Sequence, residues 1–592
     1  MNTKKQTNSL ANLLIRLLAT AIFGAIYFYV MLPAINFKAP DFWFFLVVLL
    51  VFFILVTLLT SGIRVTRMGV TLPQGVAWER CKIPVLLIVV LVLAAVVAMI
   101  YSSEIFHAKS YYNLLDVQTG DFTEEVAEIS YDKIPMLDKD SSVQLGSRAL
   151  GALSTTDASL VSQFEVSDEE YSQINYQNNP VRVAPLLYGN IIKWFNNRSE
   201  GLPGYIVVNM VTQEASLVKL DEGMKYSTCE HFGRNLYRLL RFRYPTMMFG
   251  DVNFEIDEDG TPWWVCSRTV RRIGLFGGTD TEGAVLVNAI TGESTYYEEV
   301  PTWVDRVYSA DQLVLQYNYH GTLVNGWINS WLGQKGITTT SDGYNYIAMN
   351  DDVYLYTGVT SAGNDESNVG FILVNQRTKE ARYYNIPGAT EYSAMSSAEG
   401  AVQHLGYAST FPILLNISDE PTYFMSLKDS ADLVKMYAMV NVTDYQITAT
   451  GSSVAECQAN YEALLIENGV KVTDPVEVVE KETSTVTGTI TAIRTVVVDG
   501  NTIFYISLGT GDYYAVSAAD DPDTVIYDVG DTVTITYYVD EDDAEEAEDT
   551  AEATEETDAA EDAETTEETE TAENAGDTEE NGKTIWTGIS VE

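Results

Sequence analysis

The sequence predicts an integral membrane protein with a large α+β ectodomain, three transmembrane helices followed by tandem helix-on-meander units and a small β-barrel. Three observations carry this. Three long apolar runs crowd the first 101 residues. One strand–turn–strand phrase recurs along the middle of the chain, as Ile206–Val218 (IVVNMVTQEASLV), Val285–Tyr297 (VLVNAITGESTYY) and Ile372–Tyr384 (ILVNQRTKEARYY). From Ser484 the pattern becomes purely strand-like. A chain of 592 residues exceeds what one core organises, so several domains follow.

The apolar runs are Leu10–Leu32, Phe42–Leu59 and Ile83–Tyr101. Each approaches the ~20 residues that a bilayer core of ~30 Å requires. Arg16 sits near the start of the first run, where a long side chain snorkels to the interface. Pro84 is read as lying in the first turn of the third helix. A cleaved signal peptide is the rival for the first run, but the run is long and two more follow. Lys4, Lys5 and Arg16 precede span one, and Arg64, Arg67, Arg80 and Lys82 separate spans two and three, whereas Lys38 stands alone between spans one and two. The positive-inside rule puts the N-terminus in the cytoplasm and everything after about residue 102 outside the bacterial plasma membrane.

The formal net charge is −48, from 35 Lys/Arg and 83 Asp/Glu. That balance argues against nucleic acid or an anionic membrane surface as the main partner. The four cysteines show no metal spacing; a Cys229–Cys266 disulfide and free buried thiols both remain open.

Residues 103–180 read as a stalk and lead-in, and residues 181–470 as the repeats. Asn209, Asn288 and Asn375 anchor the repeated phrase. Apolar β-branched runs meeting a Thr-containing turn predict hairpins. About 20 residues after each Asn stand Ser227-Thr-Cys-Glu230, Ser309-Ala-Asp-Gln312 and Ser396-Ser-Ala-Glu399. Each fits a capping box that opens a helix. The second helix is expected to run on to Trp327 and Trp331. Further hairpins are expected at Asp251–Val265, Tyr344–Tyr356 and Thr422–Val440, with Met439-Val-Asn-Val442 closing the last copy. The unit is one helix on an antiparallel meander.

A helix on a meander with a D/N-x-x-T-G-E turn resembles the PepSY domain, a cystatin-like module of bacterial exported proteins. Asn288-Ala-Ile-Thr-Gly-Glu293 is the nearest match; Lys379 and Gln213 replace the Gly in the other copies, and all three carry Asn where the family usually has Asp. The resemblance implies an extracytoplasmic module that binds or restrains other proteins, and it brings no catalytic residues.

Residues 471–592 begin with an expected strand Thr485–Val498, a turn at Asp499-Gly-Asn501, strands Thr502–Leu508 and Tyr513–Ser517, and then Val529–Tyr538, a Gly-Asp turn feeding an alternating strand. An acidic segment, 540–583, interrupts them; its residues 540–580 hold 22 acids and no Lys or Arg, a composition that predicts disorder. The final Thr584–Val591 alternates as a strand, so the whole is similar to an OB-fold with an inserted loop.

No chemical motif stands out. The run Arg271-Arg-Ile-Gly-Leu-Phe-Gly-Gly-Thr-Asp280 matches no phosphate-binding pattern and reads as a link between strands. Asp257-Glu-Asp-Gly260 reads as a hairpin turn, with calcium the minor alternative because a full ligand set is missing. No cofactor is expected. The candidate binding surface is aromatic: Trp263, Trp264, Tyr296, Tyr297, Trp327, Trp331, Tyr383 and Tyr384. The expected function is a non-enzymatic envelope scaffold or regulator with an envelope protein partner. A glycan or small-ligand sensor is the alternative, and a hydrolase the weakest reading.

Overall fold

The structure is a computed structural model that describes residues 3–60, 64–66, 69–71, 76–129, 133–153, 158–349, 351–361, 367–472, 483–498, 501–509, 512–518, 521–538 and 585–591. The acidic segment 540–583 lies outside the described residues. The chain forms two compact units, Met1–Val476 and Glu477–Glu592.

In the first unit, helices Thr3–Met31, Pro40–Thr60 and Val76–Tyr101 are long and apolar enough to cross a membrane. Their length follows from uninterrupted apolar sequence, and Pro33 and Pro40 bracket the break between the first two. Arg16, midway along the first helix, donates Nε to the hydroxyl of Thr60 at the end of the second, 2.7 Å away. The rings of Phe23 and Phe52 stack at 3.9 Å. Pro84 is not in a first turn. The third helix begins at Val76, eight residues ahead of it, because helix propagates through the polar flank before the apolar run.

The α+β region is rich in antiparallel sheet. Its four main sheets each contain a four-strand meander: 172–224, 248–297, 345–384 and 413–451. In each, the third strand ends in an asparagine, at Asn209, Asn288, Asn375 and Asn441. The side-chain oxygen of each accepts two backbone N–H groups, from the second and third residues beyond it, at 2.8–3.0 Å. This is the Asx turn that Asn and Asp form most readily. The N–H of the next residue donates to the start of the second strand, at Pro180, Pro262, Val353 and Pro421. The carbonyl of that same residue accepts from chain arriving from elsewhere: Met136 N at Met210, Lys225 N and Tyr226 N at Ala289, Val307 N and Tyr308 N at Gln376, and Ala389 N at Val442. Each asparagine turn therefore also pins a connection. The segment that pins the first sheet is itself held by the fourth, through Asn416 Nδ2 to Val126 O and Ser426 Oγ to Met136 O. The four sheets are linked in a closed circuit.

Asn441 shows what the turn contributes. Its Oδ1 takes Thr443 N and Asp444 N at 2.9 Å, while Nδ2 lies 3.2 Å from the Tyr461 hydroxyl inside the core. Asn441→Ala removes the acceptor of both turn N–H groups and the Nδ2 donor to the buried Tyr461 hydroxyl, a loss of roughly 1–3 kcal/mol. Asn441→Asp keeps the turn acceptor but faces the Glu420 carboxylate, 3.2 Å from the native Nδ2, and is expected to recover only part of the loss. Urea denaturation of the two variants checks the order.

Two of the expected caps are corrected. The helix Leu236–Arg243 is capped by Asn235, whose oxygen accepts Arg238 N at 3.2 Å. Ser227 instead forms an isolated bridge with Asn235 and is buried. Ser396 lies inside the helix Glu391–Ala401, which Thr390 caps. An Ala- and Ser-rich helix has little apolar periodicity to mark its start, so the later serine mimicked one. Ser309 does cap its helix, Ala310–Thr322, through Gln312 N. That helix stops short of Trp327; a separate π turn, Asn329–Gly333, carries Trp331. The hairpin at 422–440 forms, but as second and third strands, because Ile413–Ile417 is the first strand of its sheet.

Residues 103–180 pack against the sheets. Helix Glu104–Tyr112 follows the third span, Val117–Thr119 adds a parallel strand to the third sheet, and helix Lys139–Ala152 lies on the first. Strands Ser172–Tyr176 and Asn179–Tyr188 open the first sheet.

In the second unit the strand order is 483–489, 532–538, 585–591, 513–517, 501–507, 492–498. Tyr513–Ser517 and Ile585–Val591 run parallel, and all other pairs are antiparallel. The expected strand Thr485–Val498 breaks at Ile490, whose side chain turns into a core with Ile506, Val516, Val533 and Ile535.

Candidate functional site

The ends of all three apolar helices on one side, Met31, Pro40 and Tyr101, meet the second sheet. The carbonyl of Leu32 accepts from Arg241 Nε at 2.8 Å, and Ile35 N donates to Pro245 O at 2.8 Å. Asn36 Nδ2 reaches Thr246 O at 3.0 Å, and Lys38 Nζ reaches Arg271 O at 2.7 Å. On the third span, Ser102 Oγ accepts Leu275 N at 3.0 Å, and Tyr111 donates its hydroxyl to Ser102 O at 2.7 Å. This contact needs glycine: Gly274 has φ +58°, and a Cβ there would meet Ser102 Oγ at 2.2 Å. The sequence 271–280 is therefore a clip onto the anchor, and its central part, Gly274–Phe276, is a short hairpin connection.

Between this clip and the loop 32–39 lies a groove of about 390 Å³, lined by Asn36, Lys38, Thr246, Arg268, Arg271 and Glu282 among others. Its lining carries Lys38 and three arginines, Arg268, Arg271 and Arg272, against one acid, Glu282. Glu282 sits 3.1 Å from both Arg268 and Arg272, and Asp280 sits 3.2 Å from Arg272. Tyr296 supports Arg268 from below: the guanidinium lies 5.0 Å over its ring and donates to its hydroxyl at 2.8 Å. Arg271 has no carboxylate partner among the described residues. It donates Nη1 to the Thr279 hydroxyl, and its Nε is buried with no hydrogen-bond partner. Burial holds the Arg271 guanidinium below its ordinary pKa, although Tyr111 opposes the shift. A net positive cleft with an unspent, desolvated guanidinium suits an anionic group. A larger cleft of about 520 Å³ beside Phe164, Asn197 and Pro203 carries Asp221 and Glu222 against Lys225, and converges no such set.

The aromatic residues expected to form one binding surface are dispersed. Trp264 is buried and donates Nε1 to Tyr226 O at 2.9 Å. Trp263 donates to Asp257 Oδ2 at 2.9 Å and tilts against Trp303. Tyr296 buttresses the groove, while Tyr297 is exposed on the edge strand of that sheet. On the third sheet, Tyr383 donates to Val369 O and the buried Tyr384 to Glu125. Trp327 and Trp331 stack at 6.3 Å in a separate loop. The arginines were the missed signal: Arg268, Arg271 and Arg272 fall within five residues of an acidic ectodomain, in a run judged by its glycines.

Other candidate groups have structural partners. Asp257 accepts from Asp259 N, Thr261 N and the Trp263 indole, as a hairpin turn requires. Among the described residues no group of three or more His, Cys, Asp or Glu is placed to hold a metal ion. Cys229 and Cys266 are free thiols, and burial pushes both pKa values up, Cys229 to about 11.

One buried carboxylate pair stands out at the junction of the first three sheets. Glu255, with no solvent exposure, accepts Asp305 N at 2.9 Å and Arg306 N at 3.0 Å. Asp305 accepts Asn175 N at 2.7 Å, and its other oxygen has no partner. Burial drives the Glu255 carboxyl up to about 7. Burial, and then the charge of Glu255, drives Asp305 well above the usual carboxylate range.

No family model matches the chain. No curated protein matches it. Among solved structures, a mutant levansucrase from B. megaterium aligns over 71% of this chain and 91% of that one, at 9% identity and a TM-score of 0.16. A likeness that low carries neither fold nor activity to this protein.

Proposed function

We propose that this is a membrane-anchored, non-enzymatic binding or regulatory protein of the bacterial envelope, whose ectodomain presents the basic groove at the level of the membrane to an anionic group on an envelope protein partner. The groove is the observation that carries the reading. Its four cations gather at the anchor of a chain with net charge −48, and Arg271 keeps a buried donor unsatisfied. The lysines and arginines flanking the other ends of the spans favour a cytoplasmic N-terminus, which leaves the groove outside.

Two module readings accompany this. The helix-and-meander units, each closed by an asparagine turn, support a tandem PepSY-like region, whose members bind or restrain other proteins. In the second unit, the single parallel pair and the short 3-10 helix Pro522–Ile526 between strands Tyr513–Ser517 and Thr532–Tyr538 support an OB-like barrel. Neither module assigns a ligand. The dispersal of the eight aromatics leaves the glycan-sensor alternative without a common surface.

Crosslinking of intact cells, capture through the N-terminal end and mass spectrometry test the proposal. A defined envelope protein is expected, and the double variant Lys38→Ala/Arg271→Ala is expected to weaken its binding roughly tenfold, or about 1.4 kcal/mol. A partner captured equally by the double variant contradicts the role of the groove. The absence of any enriched envelope protein contradicts the function.

A further inference from the structure

Two exposed apolar patches flank the anchor. The first is the helix Ile191–Asn197 with the turn at Phe232. Ile191, Ile192 and Phe195 share one helix face and are 58–69% exposed, while Trp194 turns inward and donates to Glu230 at 2.8 Å. Phe232, 66% exposed, joins them beside Trp194, on a backbone held at φ +53°. A phenylalanine in the left-handed region is strained, so its outward ring is imposed by the surrounding fold. The second patch is Ile328, Trp331 and Leu332, 67–68% exposed, in the loop and π turn that follow the helix Ala310–Thr322.

Both patches connect to the ends of the membrane helices. Arg238 donates Nη1 to Phe232 O at 2.8 Å and Nε to Tyr29 O at 3.3 Å, and lies 4.4 Å over the Tyr29 ring. Tyr29 belongs to the last turn of the first apolar helix. One guanidinium thus spans from the first patch to the anchor. Four residues after Arg238, on the helix Leu236–Arg243, Phe242 packs edge-on against Phe28 at 5.7 Å, just beyond Arg241. On the other side, Trp331 stacks on Trp327, which packs with Tyr111 and Ile273. Tyr111 is bonded to Ser102, the residue after the third apolar helix.

The charge around the first patch fits the same neighbour. Lys193, Arg198, Arg234 and Arg238 surround it, and Arg198 lies 4.3 Å over the Phe195 ring. Aromatic and aliphatic residues rimmed by Lys and Arg are the composition of a membrane-interface contact, with the rings at headgroup depth and the cations on lipid phosphates. The two patches are separate, one tied to the end of the first span and the other to the end of the third, and the bilayer surrounds both ends.

We infer that both patches insert into the outer interface of the bilayer, seating the ectodomain flat on anionic phospholipid instead of holding it off on a stalk. Trp331 and Phe232 are then interfacial anchors, and the groove beside the span ends opens at headgroup level.

The test uses the full chain in nanodiscs of mixed phosphatidylglycerol and phosphatidylcholine. Nitroxide labels are placed through Ile192→Cys and Leu332→Cys, with Tyr445→Cys, an exposed turn position on the fourth sheet, as the water reference. Unsubstituted protein measures labelling at the four native thiols. Both patch labels are expected to collide with oxygen several-fold more than with a water-soluble nickel chelate, relative to the Tyr445→Cys label. Nickel accessibility like that reference at either patch overturns the flat seat. So does protection from both reagents, which would mean that protein, such as a second copy of this chain, covers the patch. Folding of each labelled variant is checked by its unfolding temperature against unsubstituted protein.

Discussion

Full-length protein is expected to be more stable at pH 5 than at pH 8, and Glu255→Gln is expected to flatten that dependence. In the folded state burial raises the Glu255 carboxyl to about 7, against an ordinary value of 4.5. The folded state therefore holds more protons than the unfolded chain across that interval. Stability from this source is complete below the unfolded carboxylate pKa and is lost as pH rises through about 7. At ~1.4 kcal/mol per unit, the full effect is at most about 3 kcal/mol. Asp305 adds in the same direction, because burial and Glu255 both raise it. Arg306 favours the charged form of Glu255, and Asp351 and Asp352 add to the raising of Asp305, so these neighbours set the balance. Carboxylates held low, such as Asp138 beside Lys428, act oppositely and only at more acid pH. Asp305 N and Arg306 N meet different oxygens of Glu255, and Glu255→Gln sets an NH2 against one of them, so this variant is also less stable at pH 5. Thermal unfolding in detergent at a series of pH values checks both statements. Equal slopes in the two proteins would remove the pair as the source.

Arg241→Ala is expected to cost roughly 3 kcal/mol and to loosen the ectodomain from the first span. The guanidinium is 8% exposed and donates to three carbonyls, Leu32 O at 2.8 Å, Met247 O at 2.7 Å and Pro245 O at 3.4 Å. Hydrogen bonds from a charged donor are each worth about 1.5–3 kcal/mol. Arg241→Lys keeps the charge but not the planar fork, and is expected to recover less than half of the loss. The distinguishing readout is proteolysis of the loop 32–39, faster in Arg241→Ala at temperatures where the sheets remain folded. A variant that lowers stability without exposing that loop would place Arg241 in the core alone.

Local pattern carried much of this architecture. The three apolar runs match the three helices within a few residues, apart from the early starts at Thr3 and Val76. Alternating residues around Asp257-Gly260 and Asn288 gave hairpins that the second sheet contains. Elements that depend on distant chain were hidden. Val117–Thr119 is a strand only because Ala381–Tyr383 lies beside it, some 264 residues on. The fourth asparagine turn was half visible: Val-Asn at 440–441 was noticed, but Thr443-Asp-Tyr-Gln446 lacks the Thr-x-Glu ending of the others. The groove had no local signature, because Lys38 and Arg271 are 233 residues apart and meet through a backbone carbonyl. The charge contrast was legible even so: three arginines in five positions of an acidic ectodomain.

The most direct measurement places a photo-crosslinking residue at Thr269, in the lining of the groove, in the otherwise unaltered chain in intact cells. The same residue at Tyr445 is the reference. The account predicts a discrete crosslinked envelope protein from Thr269, absent from Tyr445 and strongly reduced by Lys38→Ala/Arg271→Ala. The same adduct from both positions, or no adduct from Thr269 while the protein is folded and membrane-inserted, would contradict a binding role for the groove.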